Sequence, residues 1–220
     1  MEVSAGFYHT CGSQTDGAAV CWGDDTYDHS ATPADTFSQI DAGDFHTCGV
    51  RSEGTVACWG SNEQGQASPP VGTFSQVSAG GAFTCGVKTD GTVECWGLND
   101  AGQCQPVAGT FSQVSAGWDY ACGVRTDSTA VCWGNPREDF GQSTPPADTF
   151  SRVSACIRHT CGLKSDGTVA CWGANYFGQS THSGDSFLQV SVGIEHTCAV
   201  RSDGRVTCWG ANFWGESTPP

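Results

Sequence analysis

Positive charge is scarce in this chain of 220 residues: 9 lysines and arginines stand against 23 aspartates and glutamates, a net charge of -14. Such a surface repels phosphate backbones and anionic lipid, which argues against nucleic acid and membranes as partners and favours a basic or metal-bearing one. Long apolar runs are missing too, and none approaches the roughly 18 residues that a bilayer-spanning helix requires. Met1, Glu2 and Val3 run straight into the first repeat with no signal peptide, so the chain is expected to be mature, trimmed or excised from something longer. There is no Asn-x-Ser/Thr sequon to record passage through a secretory route. No serine or cysteine sits in a local nucleophile signature, and the carboxylates are scattered through turns where solvation is their ordinary role. A hydrolase therefore has little behind it, and nothing in the pattern calls for a cofactor.

What the chain has in quantity is glycine, with 30 residues, and cysteine, with 14. Glycine with 9 prolines and no helical period suits a turn-rich β architecture. Aligned on itself, the sequence falls into six repeats starting at Val3, Ile40, Val77, Val114, Val153 and Val190, spaced by 37 residues except for a two-residue insertion in the fourth. The segments Thr-Cys-Gly-Val and Thr-Val-Ala-Cys-Trp of the second repeat are short, β-branched and aromatic, with a turn signal between them, as in a hairpin.

The turn can be read residue by residue. Ser52-Glu53-Gly54 ends in glycine, as do its counterparts at Gly17, Gly91, Gly167 and Gly204, which is the pattern of a type I turn closed by a left-handed glycine. Counting outward pairs Val50 with Val56, Gly49 with Ala57 and Cys48 with Cys58. The last is a non-hydrogen-bonded pair whose Cα atoms approach to about 4.5 Å, near the short end of the disulfide range. The same count joins Cys11 to Cys21, Cys85 to Cys95, Cys122 to Cys132, Cys161 to Cys171 and Cys198 to Cys208. In the fourth repeat Ser128 replaces the turn glycine, and that hairpin is the least secure. Buried free thiols are the alternative; zinc is disfavoured because no pair has the tight Cys-x2-4-Cys spacing of a metal site. Each short bridge would contribute roughly 2 to 3 kcal/mol, and six imply an oxidising, extracellular or secreted location.

A three- or four-stranded unit of this size cannot bury both its faces, whereas several set radially can. The expected fold is thus all-β: one β-propeller over residues 1–220, each of six blades stapled by a cross-strand disulfide. A tryptophan follows the second cysteine in every repeat, at Trp22, Trp59, Trp96, Trp133, Trp172 and Trp209, and is expected to pack blade against blade. The recurring Val-Ser-Ala-Gly, His-Thr/Ser, Asp-Gly, Trp-Gly and Gly-Gln landmarks resemble those of the regulator-of-chromosome-condensation repeat family over essentially the whole chain. The resemblance implies a propeller, commonly of seven blades. With six repeats, and without the residues after Pro220 that would correspond to 71–76, either the ring closes with a gap or the chain is part of a longer array.

Function does not travel with fold. Nuclear members of the family act on a small GTPase and chromatin, but this acidic chain lacks an obvious insertion to wedge into a nucleotide site. It is more similar to the crinkly-type plant receptor ectodomains and the bacterial propellers that inhibit β-lactamases, which bind proteins through loops on one face. The repeats differ most before the Thr-Cys or Ala-Cys step and again after Trp-Gly, at 24–28, 61–64, 98–101, 135–140, 174–177 and 211–214. By the resemblance, Tyr8, Phe45, Trp118, Asp119, Tyr120 and Ile194 are the candidate contacts to a protein or glycan, with gap filling between blades as the alternative. His9, His46, His159 and His196 share one repeat position, which invites a ring of metal ligands. Phe83 and Tyr120 take the same place in the other two repeats, which points to packing. Cys104 and Cys156 fall outside the hairpin scheme and could form intermolecular bonds. The leading reading is a non-enzymatic extracellular binding scaffold; the alternative is a self-assembling structural protein.

Overall fold

The computed structural model of the protein describes residues 2–181 and 184–219. Each repeat forms one antiparallel three-stranded meander. Blade 1 comprises β1 (Glu2–Ala5), β2 (His9–Ser13) and β3 (Ala19–Gly23), and blade 2 comprises β4 (Phe37–Ala42), β5 (His46–Arg51) and β6 (Val56–Gly60). Blade 3 has β7 (Phe74–Ala79), β8 (Phe83–Lys88) and β9 (Val93–Gly97), and blade 4 has β10 (Phe111–Ala116), β11 (Tyr120–Arg125) and β12 (Ala130–Gly134). Blade 5 has β13 (Phe150–Ala155), β14 (His159–Lys164) and β15 (Val169–Gly173), and blade 6 has β16 (Phe187–Val192), β17 (His196–Arg201) and β18 (Val206–Gly210). The first strand of each blade lines a central channel.

The outer hairpins have the register that the turn chemistry dictates. Val50 faces Val56, Gly49 faces Ala57 and Cys48 faces Cys58, with Gly54 at φ 91° closing the turn. All six hairpins carry their disulfide, the paired Cα atoms lying 4.0–4.1 Å apart. The fourth hairpin keeps the same register because Ser128 itself adopts φ 71°, a left-handed conformation that a side chain makes unfavourable.

Blades are sealed by a layer that repeats at each junction. At the second, Cys48, Val50 and Val56 of blade 2 pack against Phe74, Val77 and Trp96 of blade 3. Phe74 and Trp96 meet at 5.9 Å, and the Trp96 indole N–H donates to the Gln66 carbonyl at 2.9 Å. Trp59, Trp133, Trp172 and Trp209 make the same bond to the carbonyls of His29, Gln103, Gln142 and Gln179. The tryptophans therefore do the expected packing, and the preceding blade satisfies their one polar atom. The phenylalanine that opens each first strand from Phe37 onward completes this layer and lies three residues ahead of the repeat starts read from sequence.

Inner strands are tied by side chains that imitate a strand ladder. The Gln39 amide donates to the Val77 carbonyl and accepts from the Val77 N–H, and Gln76 with Val114 and Gln113 with Val153 do the same. These glutamines tie blades 2 to 5, and between blades 6 and 1 the packing itself opens. Val3 is 63% exposed and Trp22 54%, while Ile40 and Trp59, their counterparts in blade 2, are 1% and 6%. On the opposite flank Val206 of blade 6 is also exposed. Among the described residues no hydrogen bond joins β16 to β1, whereas each of the other five junctions has at least one between its inner strands.

Candidate functional site

The loops joining the first and second strands of each blade gather around one mouth of the channel. Their backbones crowd together: a Cβ on Gly43 would lie 2.5 Å from the Gly80 carbonyl oxygen, so glycine is required there. The loops are laced by Asp44 N–H to Gly80, Gly81 N–H to Gly117 and Trp118 N–H to the Cys156 carbonyl. Cys156 takes the glycine place in blade 5, and among the described residues Ile157 makes no such bond onward to blade 6. The channel encloses about 610 Å³.

The loops that follow Trp-Gly lie on the same face. Asp24, Ser61, Leu98, Ala174 and Ala211 each donate a backbone N–H to a carbonyl of their own blade's mouth loop. The two variable regions of the repeat thus form one surface, an inner ring at the channel and an outer ring around it.

Aromatic side chains run along this surface. Phe7 contacts Tyr8 at 4.6 Å, Tyr8 contacts Phe45 at 5.6 Å, and Phe45 meets both Tyr27 at 5.5 Å and Trp118 at 6.4 Å. Phe45 reaches across blade 3 to Trp118 because Gly81 and Ala82 leave nothing tall between them. Phe7, Tyr8 and Trp118 are 43%, 49% and 37% exposed. On the outer ring Phe140 pairs with Tyr176 and Phe177 with Phe213, beside the exposed Trp214.

Of the six residues expected to make contacts, Tyr8, Phe45, Trp118 and Ile194 lie at this mouth. Two stand elsewhere. Tyr120 is fully buried, its hydroxyl 2.8 Å from Thr160 Oγ1, so it fills a blade junction and presents nothing to a ligand. Asp119 is buried and accepts the Arg137 N–H at 3.0 Å, which fixes the outer loop of blade 4. Phe7 and Tyr27 were not among the expected residues; exposed aromatics in the two variable regions were the signal that could have found them.

Two carboxylates line the channel. Asp41 stands where the other repeats carry Ser4, Ser78, Ser115, Ser154 and Ser191. It accepts the Ser4 hydroxyl and the Ala79 N–H, each at 2.9 Å, yet burial still raises its pKa to about 6. Asp44, at the mouth, is also raised to about 6 by burial. Among the described residues its carboxylate has no hydrogen-bond or ion-pair partner.

The histidines point sideways into the blade junctions. His46 Nε2 lies 2.7 Å from Thr84 Oγ1, and the Thr84 hydroxyl donates to the Gln66 carbonyl at 2.9 Å. With its one proton so used, Thr84 can only accept, which makes Nε2 the protonated nitrogen and leaves Nδ1 bare. His159 repeats this with Thr197, and Tyr120 takes the place in blade 4. Burial lowers the pKa of His46 to about 3, and that of His9 and His159 to about 4. Among the described residues no three His, Cys, Asp or Glu side chains are grouped to hold a metal ion. Cys104 and Cys156 carry the free thiols; both are partly buried, and burial pushes each up to about 12, leaving little thiolate to attack a second chain.

Six segments of the chain, 2–28, 37–66, 74–103, 111–142, 151–179 and 187–215, match the model of the regulator of chromosome condensation (RCC1) repeat. A comparison with curated proteins finds no match. Among solved structures, the ectodomain of the Physcomitrella patens receptor kinase CR4 is similar at a TM-score of 0.81 and 25% identity; the match covers 94% of this chain and 61% of that one, so the chain spans about three-fifths of that ectodomain. The CRINKLY ectodomain of the Arabidopsis thaliana receptor kinase ACR4 is similar at 0.78 and 25%, covering 97% of this chain and 81% of that one. Yeast RCC1 (Prp20), solved with Kap60 bound, shares the fold at 0.81 with 17% identity, covering 96% and 70%. The chain belongs to the RCC1 repeat family, as an RCC1-like propeller with one disulfide in each of its six blades.

Proposed function

We propose that residues 1–220 act as one non-enzymatic scaffold in an oxidising, extracellular compartment and recognise a protein ligand through the aromatic face at the channel mouth. The observation that carries the reading is the contiguous run of Phe7, Tyr8, half-buried Phe45 and Trp118 across the mouth, with Phe7, Tyr8 and Trp118 exposed. Large rigid rings supply contact area at low entropic cost, and a glycan would use the same rings by stacking. Six disulfides and the likeness to receptor ectodomains support the compartment. The test is capture from an extracellular fraction by the wild type and by a Tyr8→Ser, Phe45→Ser, Trp118→Ser variant of unchanged thermal stability. A ligand held by the first and lost by the second supports the reading; equal capture refutes it.

The uncovered flanks favour a second reading, self-association. Val3, Val20 and Trp22 of blade 1 and Val206 of blade 6 are exposed apolar surface where other blades meet a neighbour. Light scattering on the unreduced protein tests it: an oligomer dispersed by Trp22→Glu supports assembly, and a monomer at all concentrations removes it.

A further inference from the structure

Gly81 lacks the side chain that the other repeats carry at its position, as Phe7, Asp44, Trp118, Ile157 and Ile194. A Cβ there would lie 2.9 Å from the Trp118 carbonyl oxygen and 3.4 Å from both the Asp44 Oδ2 and the Trp118 Cδ2, so these groups close in over a bare backbone. A carboxylate and an indole therefore stand side by side at the mouth of the channel, whose lining also includes Phe7, Ile157 and Ile194.

Among the described residues no lysine or arginine lines the cavity, and its one imidazole, His196, belongs to blade 6 rather than to the blades around Asp44. The arginines beyond Trp118 are already paired: Arg137 with Asp100 at 2.7 Å, and Arg158 with Glu138 at 3.0 Å and Glu195 at 3.6 Å. The Cys156 thiol, which faces the same space, stays protonated and offers no competing charge. An unpaired carboxylate in partly desolvated surroundings is costly unless something brings it a positive charge.

We infer that the channel mouth beside Asp44 and Trp118 receives the guanidinium of an arginine side chain from a protein partner, paired with the Asp44 carboxylate and stacked on the Trp118 indole. A carboxylate next to an indole suits a guanidinium better than an ammonium. Guanidinium is planar, stacks on aromatic faces, is weakly hydrated, and offers a fork of N–H donors to a carboxylate. Phe45 meets the indole from the blade 2 side in a T-shaped contact. The net charge of -14 draws a basic partner toward the molecule, and the Asp44–Trp118 pair decides which group of that partner docks. This inference rests on the binding face proposed above and names the chemistry of its central contact.

The test titrates isotope-labelled protein with the peptide acetyl-Gly-Gly-Arg-Gly-Gly-amide, with its citrulline and lysine counterparts alongside, following the Gly81 amide and the Trp118 indole N–H by NMR. The arginine peptide is expected to shift both signals saturably and to bind about tenfold more tightly than the uncharged citrulline peptide, with lysine between. Asp44→Asn and Trp118→Leu should each weaken it about tenfold, while Asp90→Asn, on an exposed hairpin turn, leaves it unchanged. Equal binding of the citrulline peptide, an unaffected Asp44→Asn variant, or shifts spread over every acidic turn would overturn the inference. If the peptides fail while the triple aromatic variant still loses its captured ligand, the arginine site falls and the binding face stands; if neither experiment responds, both fall.

Discussion

The junction between blades 2 and 3 and the unmatched flanks of blades 1 and 6 are made from nearly the same residues, yet only one is a core. In the first, Trp96 is buried with its indole N–H on the Gln66 carbonyl and its ring edge against Phe74. In the second, Trp22 is more than half exposed, and among the described residues it has neither bond nor phenylalanine partner. A blade in this fold does not own a hydrophobic core; it owns half of two, and each half acquires its stability from the neighbour.

The comparison can be broken most sharply with the tryptophans themselves. Trp96→Ala or Trp133→Ala should cost about 3–5 kcal/mol in chemical denaturation, because a buried ring and a satisfied indole are both lost. Trp22→Ala, the same substitution at the open flank, should stay within about 0.5 kcal/mol. Equal losses at the two sites would mean that the open flank is covered in solution.

Acid should attack the sealed junctions in preference to the open one. The folded pKa values of His9, His46 and His159 lie at about 4, 3 and 4, below the ordinary value near 6.5. The unfolded chain therefore binds more protons in that window, and the stability these residues contribute is present above pH 6.5 and lost as pH falls toward their folded values. His9 and His159 each cost roughly 3 kcal/mol and His46 roughly 5 kcal/mol once fully protonated. A melting temperature that drops between pH 6.5 and 4, and drops less in His46→Gln, is the expected outcome; a flat profile contradicts it.

Asp41 tests the inner strands with the opposite sign. Its folded pKa of about 6 lies above the unfolded value of 3.8, so whatever it contributes is present below pH 3.8 and lost as pH rises through 6. Asp41→Ser restores the serine of the other five repeats and should stabilise the protein by about 1–3 kcal/mol at pH 7, with the gain vanishing near pH 4. Chemical denaturation at the two pH values decides it; a loss at pH 7 would show that the carboxylate's hydrogen bonds outweigh its burial.

A smaller gain belongs to a single dihedral. Ser128→Gly removes a side chain from a left-handed position where all five other hairpins carry glycine at the same turn, and should stabilise the fourth hairpin by about 1 kcal/mol. A neutral or destabilising result in thermal denaturation would show that Ser128 makes up its backbone cost elsewhere.

Much of this architecture was legible before any coordinates. The turn glycine sets the loop length, loop length sets register, and register puts Cys48 opposite Cys58, a chain of purely local steps. What escaped was non-local. Phe37 and its equivalents lie ahead of the obvious landmarks, and their importance shows only when they reach the tryptophan of their own blade against the blade before. Gln39, Gln76 and Gln113 read as ordinary polar strand residues until the next blade's backbone arrives beside them. Tyr120 looked like a surface contact because it follows Trp118 and Asp119 in a variable loop, but alternation turns it into the junction where histidine sits in four other repeats.

The sequence by itself determined the repeat, the hairpin register, the six disulfides and the family, because each depends on residues at most a few tens of positions apart in a pattern repeated six times. Only the tertiary structure decided that both variable loops share one face, that Phe45 leans across Gly81 toward Trp118, and that Asp44, beside that indole, has no hydrogen-bond or ion-pair partner among the described residues. Those facts depend on how separate blades are placed beside one another, and a periodic sequence carries no local record of which exception in one repeat will stand next to which exception in another.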